Sequence, residues 1–432
     1  MRDMKDSGVE WIGKIPENWE CCKLKRITSI NTGCTPSKNE YDIFYDKKEG
    51  IPWIKVENLG SLESINITEE YLTLEGAKYA RVFPKNAVYV CCIASIGKVG
   101  FSEIECSCNQ QINVLLFERA YWKYGFYLTI AQENEYIHCA TGNVVKILNS
   151  NRQADIVCTN PPLEEQQKIA NYLDEKCAKV DAIIEKQQAI IEKLKEYKLS
   201  VITEAVTKGL NPNVEMKDSG IEWTEQIPTH WSSMKLKYCT YVRARLGWKG
   251  LKAEEYVEEG YPLLSAFNIV NSKLDFRTNI NYINQIRYDE SPEIKLCLGD
   301  ILLVKDGAGI GKCAIVEKLP LPSTTNGSLA VITTDEKIVP KYLYYYFLSA
   351  MFQKYIDRLK AGMGVPHLFQ ADIKEIQVVI PSPMEQQEIV EKLDNKIKFV
   401  DSEITKIQIL LGKYKEYKSS LIYEVVTGKR EV

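Results

Sequence analysis

Two stretches of the chain carry apolar residues on alternating three- and four-residue steps. In the first, Ile169, Leu173, Val180, Ile184, Ile191, Leu194, Val201 and Ala205 hold the seam, with Cys177 and Gln187 as its weaker members. In the second, Ile389, Leu393, Ile397, Val400, Ile404, Ile407, Leu411, Tyr414, Leu421 and Val425 keep the same spacing. The pattern predicts two long helices. Prolines precede each one (Pro161 and Pro162; Pro381 and Pro383), acidic residues suit the positive end of its peptide dipole, and Gly209 or Gly428 closes it. Some forty residues make a rod of about 60 Å. A seam this narrow takes one partner helix, and the nearest is the other copy. The expectation is an antiparallel coiled-coil pair, the alternative being two separate helices, each lying on its own domain.

Elsewhere the periodicity changes. Short apolar runs such as Ala87–Val90, Val114–Phe117, Ile301–Val304 and Gln377–Ile380 are bounded by Gly, Asn and Lys turns and read as strands. Aromatic helical stretches, Tyr121 to Tyr127 and Tyr342 to Phe352, sit between them. Each interior therefore reads as one α/β domain, and the whole chain as α+β.

The chain also matches itself. MKDSGVEWIGKIPENW at 4–19 returns as MKDSGIEWTEQIPTHW at 216–231, and the helical segment 161–207 aligns without a gap on 381–427. The chain is two copies of one unit whose frame is shared and whose interiors differ. Four segments follow: a first domain over 1–160, a first spacer helix over 161–209, a second domain over 210–380 and a second spacer helix over 381–432.

Composition narrows the class. With 45% hydrophobic and 26% charged residues, the 432-residue chain has the balance of a folded protein with several cores. It opens without a basic segment leading into an apolar stretch, and no run approaches the roughly 18 apolar residues of a membrane span, so a cytoplasmic protein without a membrane partner is expected. Thirteen cysteines, an odd number, fit reduced thiols better than a disulfide framework. Three histidines and no Cys-x-x-Cys argue against a metal site. The net charge of −3 announces no nucleic-acid partner, so any basic surface must be assembled by folding.

No catalytic constellation emerges. Asn160-Pro161-Pro162-Leu163 resembles the base-gripping motif of amino-methyltransferases but lacks its aromatic, and reads better as a helix start. Gly307-Ala308-Gly309-Ile310-Gly311-Lys312-Cys313 imitates a phosphate loop, yet Asp306 stands where the first glycine belongs and Cys313 where Ser or Thr is required. Its counterpart Ser95-Ile96-Gly97-Lys98 reads as a tight turn presenting a lysine. His138, His230 and His367 lie in unrelated contexts.

What remains is polar residues in corresponding turns. In the first domain these are Thr32, Thr35, Ser37, Lys38, Lys55, Asn58, Lys98, Asn109, Gln110 and Gln111. In the second they are Arg243, Arg245, Lys249, Asn268, Lys305, Lys312, Thr325 and Asn326. Asn, Gln, Arg and Lys have the geometry to read base edges, and hydroxyls suit phosphates, so these are candidate DNA contacts.

The doubled Asp-Ser-Gly-x-Glu-Trp openings, Glu165-Gln166-Gln167 and Glu385-Gln386-Gln387 after prolines, and the closing Glu204-Ala205-Val206-Thr207 and Glu424-Val425-Val426-Thr427-Gly428 together resemble the specificity subunit of type I restriction-modification systems. The resemblance spans the chain. It implies two target recognition domains, each reading half of a split, asymmetric site in double-stranded DNA, and no catalysis by this chain. It also implies docking of two modification subunits, which bind S-adenosylmethionine and methylate adenine N6, and of restriction subunits that use ATP and Mg. Residues expected in helix pairing or docking are Gln166, Gln167, Ile169, Leu173, Val180 and Ile184 with Gln386, Gln387, Ile389, Leu393, Val400 and Ile404. Pro383-Met384 in place of Leu163-Glu164 makes the two helix starts unequal. Two other classes stay open on the residues alone: a helical scaffold with two protein-binding domains, and a stand-alone nucleic-acid-modifying enzyme.

Overall fold

The computed structural model describes residues 2–244, 253–361 and 367–432. They form two compact units: Met1–Gln187 with Gln408–Val432, and Gln188–Ile407. The first unit holds a four-stranded antiparallel sheet of β1 (Ser29–Thr32), β2 (Ala87–Cys91), β3 (Val99–Ser102) and β4 (Ile112–Leu116), in the order β3-β2-β4-β1. The second repeats it with β5 (Thr240–Arg243), β6 (Ile301–Val304), β7 (Cys313–Ile315) and β8 (Leu329–Thr334), in the order β7-β6-β8-β5. Each adds one parallel pair, Ile51–Ile54 beside Cys106–Cys108 and Tyr261–Leu264 beside Thr324–Thr325.

The apolar runs are continuous because their strands are buried on both faces. In β2, Val88 and Val90 enter one core with Phe126 and Leu128, whereas Ala87, Tyr89 and Cys91 enter another with Ile54 and Phe83. β6 divides in the same way, Ile301 and Leu303 to one side and Leu302 and Val304 to the other. The single aromatic helix expected over 342–352 is two helices, Pro340–Leu348 and Ala350–Ala361. Ser349 breaks them. Its backbone is extended, and its hydroxyl accepts the Phe352 N–H at 3.3 Å, starting the second helix as the first ends.

The long helices are α1 (Leu163–Lys208) and α2 (Pro383–Val426). Pro383 is the first residue of its helix rather than a residue ahead of it, a position where its missing N–H costs nothing. Each unit contains the start of one helix and the end of the other, running antiparallel. In the first, Ile169, Leu173 and Cys177 share a core with Leu421, Val425 and Val426, and Lys418 reaches Asp181 at 2.7 Å. In the second, Ile389 and Leu393 share a core with Ile202, Ala205 and Val206, and Lys198 reaches Asp401 at 2.6 Å.

Each helix start is clamped by the repeated motifs. The Gln166 amide accepts from the Tyr121 N–H at 2.7 Å and donates to the Pro161 carbonyl at 2.8 Å and to Asn160 at 3.1 Å. Gln386 accepts from the Val339 N–H at 2.7 Å and donates to the Lys337 and Pro381 carbonyls at 2.9 and 3.0 Å. Beside them the indoles of Trp19 and Trp231 donate to Glu165 and Glu385 at 2.6 and 2.9 Å. Partial burial opposes ionisation of Glu165, but Trp19, Asn18 and Arg2 together hold its carboxyl below the usual range. The opposite helix ends arrive at the same indoles. A Cβ at Gly209 would lie 3.1 Å from Trp231, and one at Gly428 would lie 3.0 Å from Trp19 and 2.4 Å from Pro16. Both glycines also have positive φ, +77° and +73°, so each stops its helix where no side chain fits.

Gln166 and Gln386 are buried, whereas Gln167 and Gln387 are exposed. Replacing Gln166 or Gln386 by Ala should cost about 1–3 kcal/mol, because buried backbone groups lose their partners. The same change at Gln167 or Gln387 should stay within about 0.5 kcal/mol. Denaturant unfolding of the four variants checks the contrast.

Candidate nucleic-acid interface

In the first unit, backbone hydrogen bonds gather the turns at the ends of the strands. The N–H of Cys34 donates to Cys108 at 3.0 Å, that of Asn109 to Ile54 at 3.3 Å, that of Cys92 to Gln111 at 2.8 Å and that of Ala94 to Lys146 at 3.2 Å. The Thr35 hydroxyl donates to the Gln110 side chain. Gly33 makes the convergence possible, since a Cβ there would stand 2.3 Å from the Asn109 carbonyl. Thr35, Lys55, Asn58 and Asn109 to Gln111 thus share one edge. The second unit builds the corresponding edge: Asn326 N–H donates to Leu264 at 2.8 Å, Lys305 N–H to Ser328 at 2.9 Å and Leu368 N–H to Lys305 at 2.8 Å.

The candidates differ in what they present. Gln110, Gln111, Lys98 and Ser37 are exposed in the first unit, and Lys312 is exposed with Asn326 half-buried in the second. Lys98 and Lys312 follow equivalent turns, each with a left-handed glycine before it (Gly97, φ +91°; Gly311, φ +89°). Asn109 and Asn326 fold their own loops, accepting the N–H two residues ahead at 3.0 Å. Thr32 lies within β1 and is bonded to Asn113 at 2.8 Å, not in a turn.

Several candidates are turned inward. Arg243 is bonded twice to the fully buried Asp300 at 2.9 Å and also to the carbonyls of Glu293 and Lys295, so its guanidinium holds β5 to the loop before β6. Asn268 is buried and donates to the Thr278 carbonyl at 3.2 Å. Thr325 is buried in its strand. Lys55 pairs with Glu70 at 2.7 Å and Lys305 with Asp306 at 3.3 Å, which neutralises both. Asn58 bonds back to the Lys55 N–H at 2.8 Å. Arg245 and Lys249 lie outside the described residues, as does the side chain of Lys38.

The sequence sets the turns 55–58 and 265–268 opposite each other, but its candidates are Lys55, Asn58 and Asn268 rather than the exposed middle residues. Glu57 and Phe267 occupy equivalent turns, and Phe267 is 85% exposed. The signal lay between the capping asparagines: Lys55-Val-Glu-Asn58 aligns with Ser265-Ala-Phe-Asn268.

Burial pushes the thiols of Cys92 and Cys106 up to about 12 and about 11 and that of Cys108 well above its ordinary value, so these cysteines stay protonated. His367 contacts Asp306. Among the described residues no group of three or more His, Cys, Asp or Glu could hold a metal, and no helix is long and apolar enough to cross a membrane.

Of the residues expected in helix pairing or docking, Ile169, Leu173, Val180, Ile389, Leu393 and Val400 are buried within the chain, and Ile184 and Ile404 are half-buried. Gln166 and Gln386 are spent on the clamps described above. Gln167 and Gln387 alone of the set face solvent.

Comparison with known proteins places the chain among DNA specificity domains. The family described as type I restriction modification DNA specificity domain matches residues 16–196 and again 247–411. The EcoBI specificity subunit of Escherichia coli is 24% identical, over 99% of this chain and 90% of its own. The MjaIX specificity subunit of Methanocaldococcus jannaschii is 26% identical, over 98% and 95%. A solved chain from work on complex assembly and conformational transition of the type I R-M system superposes with a TM-score of 0.71 at 15% identity, covering 96% of this chain and 99% of that one. The HsdS subunit of Thermoanaerobacter tengcongensis gives 0.50 at 14%, covering 96% and 98%. At these identities the structural likeness is one of fold.

Because Arg243 is an internal ion pair, Arg243→Ala should destabilise the second unit by about 3–5 kcal/mol by stranding Asp300. Arg243→Ala with Asp300→Ala should recover part of that loss. A double-mutant cycle by thermal unfolding measures it, and a variant of undiminished stability would return Arg243 to the list of DNA contacts.

Proposed function

The chain belongs to the type I restriction-modification DNA specificity family, and from that membership and its duplicated polar edges we propose that each unit binds one half of a split, asymmetric DNA target. The chain recognises DNA and carries no catalysis of its own. The observation that carries the split reading is the repetition of one topology, down to the Gln and Trp clamps, around turns whose side chains differ. Equivalent frames dock on the duplex in equivalent ways, while different side chains meet different base edges. Lys98 and Lys312 suit phosphates, and Gln110, Gln111 and Asn326 suit bases.

In this reading two modification subunits dock on the helices and carry the S-adenosylmethionine that methylates adenine N6, and restriction subunits bring ATP and Mg. Exposed apolar residues that recur at equivalent points, Ile190 with Leu410 and Tyr197 with Tyr417, support a docking role for the helices. Free thiols at all thirteen cysteines support work in the cytoplasm. The four segments 1–160, 161–209, 210–380 and 381–432 then act as reader, spacer, reader and spacer.

Sequencing of methylated adenines in cells carrying the complex tests the proposal. A two-part motif with unequal halves and an unspecified gap is expected; a continuous or palindromic motif would contradict it. The helices should also set the gap. Four residues inserted after Ile191 add about 6 Å of helix, against about 3.4 Å of duplex per base pair. The gap should grow by about one or two base pairs with both halves unchanged.

A further inference from the structure

The two polar edges share a small built feature that differs in one residue. In the first unit, Asn58 closes a single turn of 3-10 helix (Val56–Asn58): its side chain accepts the Lys55 N–H at 2.8 Å and its own N–H returns to the Lys55 carbonyl at 3.0 Å. In the second, Asn268 closes Ala266–Asn268 in the same way, at 2.9 and 3.0 Å from Ser265. Asn268 is anchored further, since its carbonyl takes the Asp275 N–H at 2.9 Å. Each turn follows a strand that also carries the adjoining polar loop: Ile54 accepts from Asn109 and Leu264 from Asn326. The Ala266 N–H reaches Ser328 of that loop at 3.3 Å.

Both turns are therefore fixed at their ends and hold their middle residue outward. That residue is Glu57 in one unit, its side chain 60% exposed and its carboxylate 4.0 Å from the Lys55 ammonium, and Phe267 in the other, 85% exposed. A lone exposed phenylalanine is ordinary on a protein surface. A phenylalanine and a glutamate presented by the same capped turn, each beside an asparagine-led loop, are one scaffold carrying two chemistries. Base edges in the major groove offer matching partners. Thymine carries a methyl group, on which an aromatic ring packs, and cytosine carries an N4 amino group, which donates to a carboxylate.

We propose that the tip of this turn is a base-reading position in each unit, with Phe267 packing on a thymine methyl of one half-site and Glu57 accepting from a cytosine N4 amino group of the other. The inference rests on the split-target reading above and names residues that reading leaves open.

The test uses the chain with its modification subunits, expressed in cells lacking the system, with methylated adenines mapped by sequencing. Wild type should give a two-part motif with a thymine in one half and a cytosine in the other. Phe267→Ala should relax the thymine position alone, letting sites with another base there be methylated about ten- to a hundredfold faster relative to the original. Phe267→Leu should keep much of the preference, and Glu57→Gln should relax only the cytosine position. Both residues are exposed, so these changes leave folding intact, which thermal unfolding confirms. A motif unchanged in all three variants overturns the inference and leaves the split-target reading standing, as does a wild-type split motif without thymine or cytosine in the respective halves. A wild-type motif that is not split removes the reading itself, and the inference falls with it.

Discussion

Gln166 and Gln386 sit where a chain leaving a domain must become a helix, and each satisfies backbone groups that the turn would otherwise bury without partners. A neutral amide suits this, because the site asks for an acceptor and a donor at once. A carboxylate could take the Tyr121 or Val339 N–H but would face the Pro161 or Pro381 carbonyl as a second acceptor, and its charge would lie in a buried site. The charge is supplied one residue earlier, by Glu165 and Glu385, where the Trp19 and Trp231 indoles meet it at the margin of the core. Further along, Tyr127 and Lys123 close on Asp174 at 2.7 Å, and Tyr345 and Lys341 on Asp394. Two attachments separated by two helical turns fix a rod in direction as well as position. Each sheet is thereby held rigidly to the start of its own helix.

That rigidity lets the reading edges diverge. The strands owe their order to two cores on opposite faces, and the turns owe their backbone to one another's amides. Neither depends on which side chain points outward at a tip. Lys98 and Lys312 recur after left-handed glycines in equivalent hairpins. Elsewhere the first unit shows Gln110 and Gln111 where the second shows Gly327 and Ser328, with equivalent backbone hydrogen bonds tying the loop down.

The periodic elements were legible in the sequence. Strong three-four spacing gave both helices, and the continuous apolar runs gave the central strands, since burial on two faces leaves little room for polar residues. Pro383 and the break at Ser349 were missed because both turn on local backbone geometry that a run of apolar and aromatic residues conceals. The site was less legible for a physical reason. Residue types that read bases are also the types that cap turns and fill buried ion pairs, so Asn58, Asn268 and Arg243 looked like contacts while serving the fold. Their neighbours Glu57 and Phe267 carried no such signature. Only the alignment of one capped turn on the other singles them out.

The first unit is assembled from the two ends of the chain, Met1–Gln187 and Gln408–Val432, whereas the second is continuous. On the ribosome the order of completion is therefore reversed. The second unit has all its residues once Ile407 has emerged, but the first waits for the last turns of α2. Until Leu421, Val425 and Val426 are made, the core that Ile169, Leu173 and Cys177 share with Trp19 and Tyr127 is incomplete, and Thr159 and Tyr124 lack the Val426 carbonyl to which they donate at 2.8 and 3.4 Å. A nascent chain thus leaves the part of that core facing α2 uncovered until its last turns are made. A transcript cut short anywhere after Ile407 would yield a complete second reader attached to an unfinished first one.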